Sequence, residues 1–192
     1  MRTLGDEVLA RAGIYVADAD DGESVPSFII TEATQVSQKS DTSTQVLDAH
    51  QKETIRKALV NEAVKLLGVR YQFGYEWSDY TKMPEAMDCS ELTEACYLIN
   101  GLKMPDGSQN QFNWTIPTGN PLPGDLGFFG RGGKPEQVYH VGMIAGPLDV
   151  IEAIGFDPKA SFETGKVIFR PRAKWEAYLP NFLGWRSHPR LI

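Results

Sequence analysis

At Pro123 the hydrophobic period of this chain changes from that of helices to that of strands. Before it, Ile55, Leu59, Val60, Ala63, Leu66 and Leu67 recur at helical spacing and predict a helix over 53–67, with Gly68 placed to stop it. A second helix is predicted to start at Asp88, a capping residue with Glu91 three places on. Leu92, Ala95, Cys96 and Ile99 form its apolar stripe, and Asn100-Gly101 closes it. The aromatic-rich stretch over 71–84 has neither period and reads as irregular. After Pro123 come five short β-type runs, over 126–129, 138–145, 149–154, 166–170 and 182–186, joined by Gly/Pro turns. Helices first and then strands joined by short turns imply an α+β fold with an antiparallel sheet of about five strands.

Charge divides the chain as sharply as the period does. The 19 basic and 25 acidic side chains give a formal net charge of −6, and residues 1–48 hold three of the basic and nine of the acidic groups. The whole net charge therefore sits in residues 1–48, while 49–192 are balanced. Together with the Ser/Thr/Gln/Asp-rich stretch over 31–45, this marks residues 1–48 as an acidic N-terminal extension and 49–192 as a separate domain. Within the extension a short helix over 4–12 and a strand over 27–30 are predicted. The acidic turn over 18–23 does not fit a calcium loop, since placing Gly22 sixth puts Ala17 first and Phe28 twelfth. The negative balance speaks against a sequence-independent grip on nucleic acid. No apolar run reaches the roughly 18 residues a membrane span needs, and the first residues lack the apolar core of a secretory signal, so no membrane insertion is expected.

The two cysteines are seven residues apart on the second helix, about 10 Å along its axis, too far for a disulfide. Three histidines at no ligand-like spacing to them give no metal site. Cys96 falls in the apolar stripe and reads as core. Cys89 falls on the first turn, where free backbone N–H groups and the helix dipole favour a thiolate.

A nucleophile needs a base, and His140 supplies one. Strand alternation over 138–145 puts His140, Gly142 and Ile144 on one face. A hairpin centred on Gly146 would set His140 directly opposite Glu152, about 4.5–5.5 Å away between Cβ atoms, provided the loop has odd parity. The expected order is thiol, imidazole, carboxylate, and no cofactor is implied.

These residues resemble the NlpC-type cysteine peptidases, papain-like cell-wall hydrolases of bacteria and phages. The likeness covers roughly residues 51–155. It rests on Asp88-Cys-Ser-Glu-Leu92 at a helix start, Pro123-Gly-Asp-Leu-Gly-Phe-Phe129 leading into the sheet, His140-Val-Gly-Met143 on the next strand, and Leu67-Gly-Val-Arg-Tyr71-Gln-Phe-Gly74 upstream. Glu91 stands where the family commonly has Gly, and Glu152 where it more often has His, Asn or Gln. The resemblance implies a papain-like fold with the nucleophile at the start of a helix packed on the sheet. It implies Cys89, His140 and Glu152 as the catalytic residues. Around them, Tyr71, Asp88 and Ser90 are the candidates for substrate or oxyanion binding, with the Cys89 backbone N–H and the Tyr71 hydroxyl as oxyanion donors. The implied substrate is bacterial peptidoglycan, cut at an amide of the stem peptide, often between D-γ-glutamyl and the diamino acid.

The aromatic residues Phe73, Tyr75, Trp77, Tyr80, Phe112 and Trp114, on two loops expected to flank Cys89, either line a glycopeptide groove or fill gaps in a loop-rich layer. Arg131 and Lys134 either meet stem carboxylates or are solvated. Residues 1–48 are expected to dock on virion tail proteins, with the enzyme acting in the host cell wall or periplasm. Release from the cytoplasm through membrane pores and delivery by a contractile secretion system are the other routes. An N-acetylmuramoyl-L-alanine amidase, an acyltransferase of related fold and a non-enzymatic tail plug are the competing functions.

Overall fold

The computed structural model describes residues 46–192. The helix, acidic turn and strand expected over 4–12, 18–23 and 27–30 lie outside the described residues. The first helix, α1 (Ala49–Lys65), starts ahead of its apolar pattern, because Asp48 and Gln51 form a reciprocal capping box. Leu47 packs against the core, so Leu47 and Asp48 go with the folded unit. Two two-residue strands follow, β1 (Arg70–Tyr71) and β2 (Ala86–Met87). Next comes α2 (Cys89–Ile99), capped by Asp88 and ended by Asn100 with Gly101 at positive φ. Its buried side carries Leu92, Ala95 and Cys96 as expected, but also Thr93 and Tyr97, whereas Ile99 is exposed.

The remaining elements are α3 (Ser108–Trp114), β3 (Ile116–Pro117), β4 (Leu126–Gly130), β5 (Val138–Ile144), β6 (Asp149–Ile154), β7 (Lys166–Pro171), α4 (Arg172–Glu176) and β8 (Phe182–Ser187). Strands β4 to β8 coincide with the five expected runs. Among the described residues the sheet has eight strands where about five were expected, in the order β2-β1-β7-β6-β5-β4-β8-β3. The additional three are two-residue pieces at its margins. All pairings are antiparallel except β1 with β2.

Strand alternation divides the core between two sides of the sheet. On one side Leu126, Phe128, Val141, Met143, Ile151 and Ala153 pack with Leu59, Val60, Leu92 and Cys96 of α1 and α2. Burying a side chain the size of Phe128 or Met143 contributes about 1.5–3 kcal/mol. On the other side Phe129, Ile144, Val150, Trp175 and Trp185 form a second cluster. Here Gly127 of β4 pairs with Gly142 of β5, and the two missing side chains leave a slot. The Trp175 ring fills it: a Cβ on Gly142 would come 2.6 Å from the ring, and one on Gly127 would come 3.0 Å from Trp175 and 2.5 Å from Trp185.

One buried cation joins the ends of this unit. Arg56 of α1 pairs with Asp125 at 2.7 Å and donates to the Pro123 and Leu191 carbonyls and the Ser187 hydroxyl. Four acceptors from two distant stretches, 123–125 and 187–191, satisfy a guanidinium whose side chain is 8% exposed.

Candidate active site

The capping of α2 fixes its first turn. Asp88 Oδ1 accepts from the Ser90 and Glu91 N–H groups and from the Ser90 hydroxyl, at 2.9–3.0 Å, while Oδ2 accepts from the Gly74 N–H at 3.0 Å. Asp88 and Ser90 are thus engaged with each other and with the turn, both nearly buried. Gln111 of α3 backs the same turn, donating to the Ser90 carbonyl and accepting from the Thr93 hydroxyl. The Cys89 N–H, the remaining donor of that turn, has no acceptor among the described residues.

Glu91 does not complete a capping box. Its Oε1 instead accepts from the Trp77 N–H at 3.2 Å, tying the irregular stretch over 71–84 to the helix start. Burial and the neighbouring carboxylates Glu94, Glu76 and Asp88 outweigh that bond and push Glu91 up to about 7. Pairing of Tyr71 with Met87 across β1 and β2 brings the phenol beside Cys89. Burial first, then the charges of Cys89 and Asp88, push the Tyr71 hydroxyl up to about 12, so it stays protonated at neutral pH and can donate a hydrogen bond.

The thiol of Cys89, 6% exposed, faces the imidazole of His140. His140 Nε2 meets Glu152 Oε2 at 2.6 Å, which leaves Nδ1 for the thiol. Phe129 lies parallel to the imidazole, 5° between planes at 6.0 Å. Burial disfavours the imidazolium, but Cys89 and then Glu152, each by hydrogen bond and charge, outweigh it and hold His140 up at about 10. Glu152 is fully buried. Burial would raise its carboxyl, but the His140 hydrogen bond and charge, the Arg170 charge and the Trp175 N–H hold it below its usual range. Cys96, by contrast, is fully buried in apolar surroundings that push its thiol up.

The geometry of the His140–Glu152 contact corrects the expected hairpin. Met143 pairs with Ile151 and Ile144 with Val150, two residues further along than a turn centred on Gly146 would give. Carried on, this register sets Glu152 across from Gly142 and His140 across from Ile154. The parity is the expected one, so both side chains share a face, but they meet diagonally.

Of the expected aromatic groove, Trp77 and Tyr80 meet edge to face at 5.0 Å and Phe73 is exposed, but Phe112 packs on Phe128 in the core. Phe112 and Trp114 also lie on α3, which takes the place of the expected loop. Arg131 and Lys134 are exposed and form no ion pair among the described residues. Sequence reasoning missed Arg170, Trp175 and Gln111. Arg170 is diagonal to Glu152 in the β6–β7 register, where Glu152 pairs with Ile168, and that register alone could have flagged it.

Residues 68–168 match the model of the NlpC/P60 family. The chain belongs to the NlpC/P60 family. All of Tyr71, Asp88, Cys89, Ser90, His140 and Glu152 fall within the matched span. No curated protein matches the chain by sequence. Among solved structures, the NlpC/P60 fold recurs in NlpC1 from Trichomonas vaginalis (22% identity, 75% of this chain and 46% of that one, TM-score 0.54). It recurs in the P60 domain of an M. avium subspecies paratuberculosis antigen (23%, 71% and 96%, TM-score 0.54). It recurs again in the peptidoglycan hydrolase RipB from Mycobacterium tuberculosis (20%, 83% and 77%, TM-score 0.58). The chain thus spans about half the length of NlpC1.

Proposed function

We propose that this NlpC/P60 chain is a cysteine-dependent peptidoglycan hydrolase that cuts an amide bond of the stem peptide, between D-γ-glutamyl and the diamino acid. The observation that carries this reading is the line Cys89, His140, Glu152: a helix-start thiol facing an imidazole whose Nε2 is hydrogen-bonded to a buried carboxylate. Membership of the family supports the reaction class, and the fold shared with RipB, named a peptidoglycan hydrolase, supports the polymer.

In this reading the Cys89 thiolate attacks the amide carbonyl, and the resulting oxyanion is met by the unoccupied Cys89 N–H and the Tyr71 hydroxyl. The imidazolium of His140 then protonates the leaving amine as the C–N bond breaks, leaving a thioester. His140, now neutral, takes a proton from water as its oxygen attacks, and the thiolate departs from a free carboxylic acid. Asp88 and Ser90 keep the first turn of α2 rigid beneath this chemistry. Residues 1–48, with all of the net charge, would dock the enzyme on a virion tail that delivers it to the host wall.

Mass spectrometry of muropeptides after digestion tests the reading. The expected product carries a new free amine on the diamino acid and is absent with Cys89→Ala. Release of intact stem peptides from the glycan would identify an N-acetylmuramoyl-L-alanine amidase instead. No product from any peptidoglycan would refute the hydrolase.

A further inference from the structure

The buried carboxylate of Glu152 has more partners than His140. Its two oxygens divide their work: Oε2 bonds His140 of β5, while Oε1 forms an ion pair with Arg170 Nη1 of β7 at 3.0 Å and accepts from Trp175 Nε1 of α4 at 3.1 Å. Arg170 and Trp175 lie beyond the span that matches the family. The guanidinium is itself held, between the Phe162 ring at 4.9 Å and the Trp175 ring at 5.6 Å, and its side chain is 13% exposed. Trp175 is wedged in the Gly127/Gly142 slot, so its N–H cannot swing away from Oε1.

We propose that Arg170 and Trp175 are positioning residues that clamp Oε1 of Glu152, keep the carboxylate ionised in its desolvated site and aim Oε2 at His140. This rests on the Cys89–His140–Glu152 reading above. An isolated carboxylate in such a site would take up a proton. A protonated Glu152 could no longer stabilise the imidazolium on which the reactivity of Cys89 depends. The charged groups that face Glu152 are His140 from β5 and Arg170 from β7, with Trp175 from α4 as an uncharged donor. Cys89 of α2 acts on it only through His140.

The test reads the thiol directly, independent of substrate: the rate of iodoacetamide alkylation of Cys89 against pH, followed by peptide mapping, with buried Cys96 as internal control. Arg170→Met should move the acid midpoint of the profile upward by about one pH unit, the equivalent of a tenfold loss of the ionised form. Arg170→Lys should bring it back towards the unaltered protein. In a Glu152→Gln background, where that position no longer titrates, Arg170→Met should leave the midpoint unmoved. Trp175→Phe keeps most of the ring and removes only the donor. It should slow alkylation several-fold, and it tests the clamp even if Arg170→Met fails to fold.

An unshifted midpoint in Arg170→Met, a shift that persists in the Glu152→Gln background, or an unchanged rate in Trp175→Phe each overturns the clamp. Cys89 reacting no faster than Cys96 in the unaltered protein overturns the activated thiol itself, and with it the proposed function. The two failures are therefore distinguishable.

Discussion

Gly142→Ala is the smallest change that should disturb both the fold and the site. The added methyl would lie 2.6 and 2.7 Å from two atoms of the Trp175 ring and 3.0 Å from Val150, roughly 1 Å inside ordinary contact. The ring cannot retreat. It is fully buried, with Phe129 at 4.5 Å and Trp185 at 6.1 Å between centroids. Overpacking of this kind costs about 1–3 kcal/mol. Displacing the ring by about 1 Å also breaks the Nε1 bond to the Glu152 carboxylate, about 1.5–3 kcal/mol for a hydrogen bond to a charged group. The two together come to about 4 kcal/mol, and at about 2–4 °C per kcal/mol the unfolding midpoint should fall by roughly 8–16 °C. Calorimetry of Gly142→Ala beside Gly119→Ala is the assay, since a Cβ at Gly119 meets nothing within 4 Å and should cost no more than about 0.5 kcal/mol. A Gly142→Ala protein melting within about 2 °C of the unaltered one would refute the slot as the reason for the glycine pair.

Three further outcomes are expected. Cys89→Ala should lower turnover on peptidoglycan by several orders of magnitude while keeping a single cooperative unfolding transition in calorimetry. Glu91 and Glu94 are both pushed up to about 7, chiefly by burial. The folded chain therefore holds protons that the unfolded chain releases near 4.5, so their contribution to stability is complete below that pH and is lost as pH rises through 7. Glu91→Gln should accordingly show a smaller drop in midpoint between pH 5 and pH 8 than the unaltered protein, and an equal drop would count against a protonated Glu91. A chain starting at Val46, which keeps the Asp48 cap and Leu47, should stay folded and cleave isolated peptidoglycan at the full rate. Loss of most of its unfolding enthalpy would make residues 1–45 part of the core.

How much of this was legible depends on whether local pattern or distant contact builds each feature. Strands β4 to β8 announce themselves because each is long enough to show alternation between turn residues. Helix α3 does not: it has seven residues, its N-cap is Gly107 with no side-chain bond, and it is anchored by the fully buried Gln111 reaching to α2. The strands β1, β2 and β3 are two residues each and exist only as additions to a sheet already formed. Cys89, His140 and Glu152 were legible because a helix start and one hairpin place them. The hairpin slipped by two residues, an error that parity renders harmless to the face but not to the partner. Arg170 and Trp175 carried no local signal, since their meaning lies in the register of β6 with β7 and in a slot made by two glycines on different strands.

The Arg56 junction has a consequence for how the protein is made. Of the described elements synthesis delivers α1 first, with a guanidinium that must be desolvated for the helix to settle on the sheet, and the last of its acceptors, Ser187 and Leu191, emerge more than a hundred residues later. Until then α1 can dock only by burying a cation with half its partners missing. Strand β8, which pairs with β4 beside that cation, arrives equally late. Closure of α1 on the sheet is thus tied to the arrival of residues 182–191, so the first helix of the described fold is among the last elements to settle.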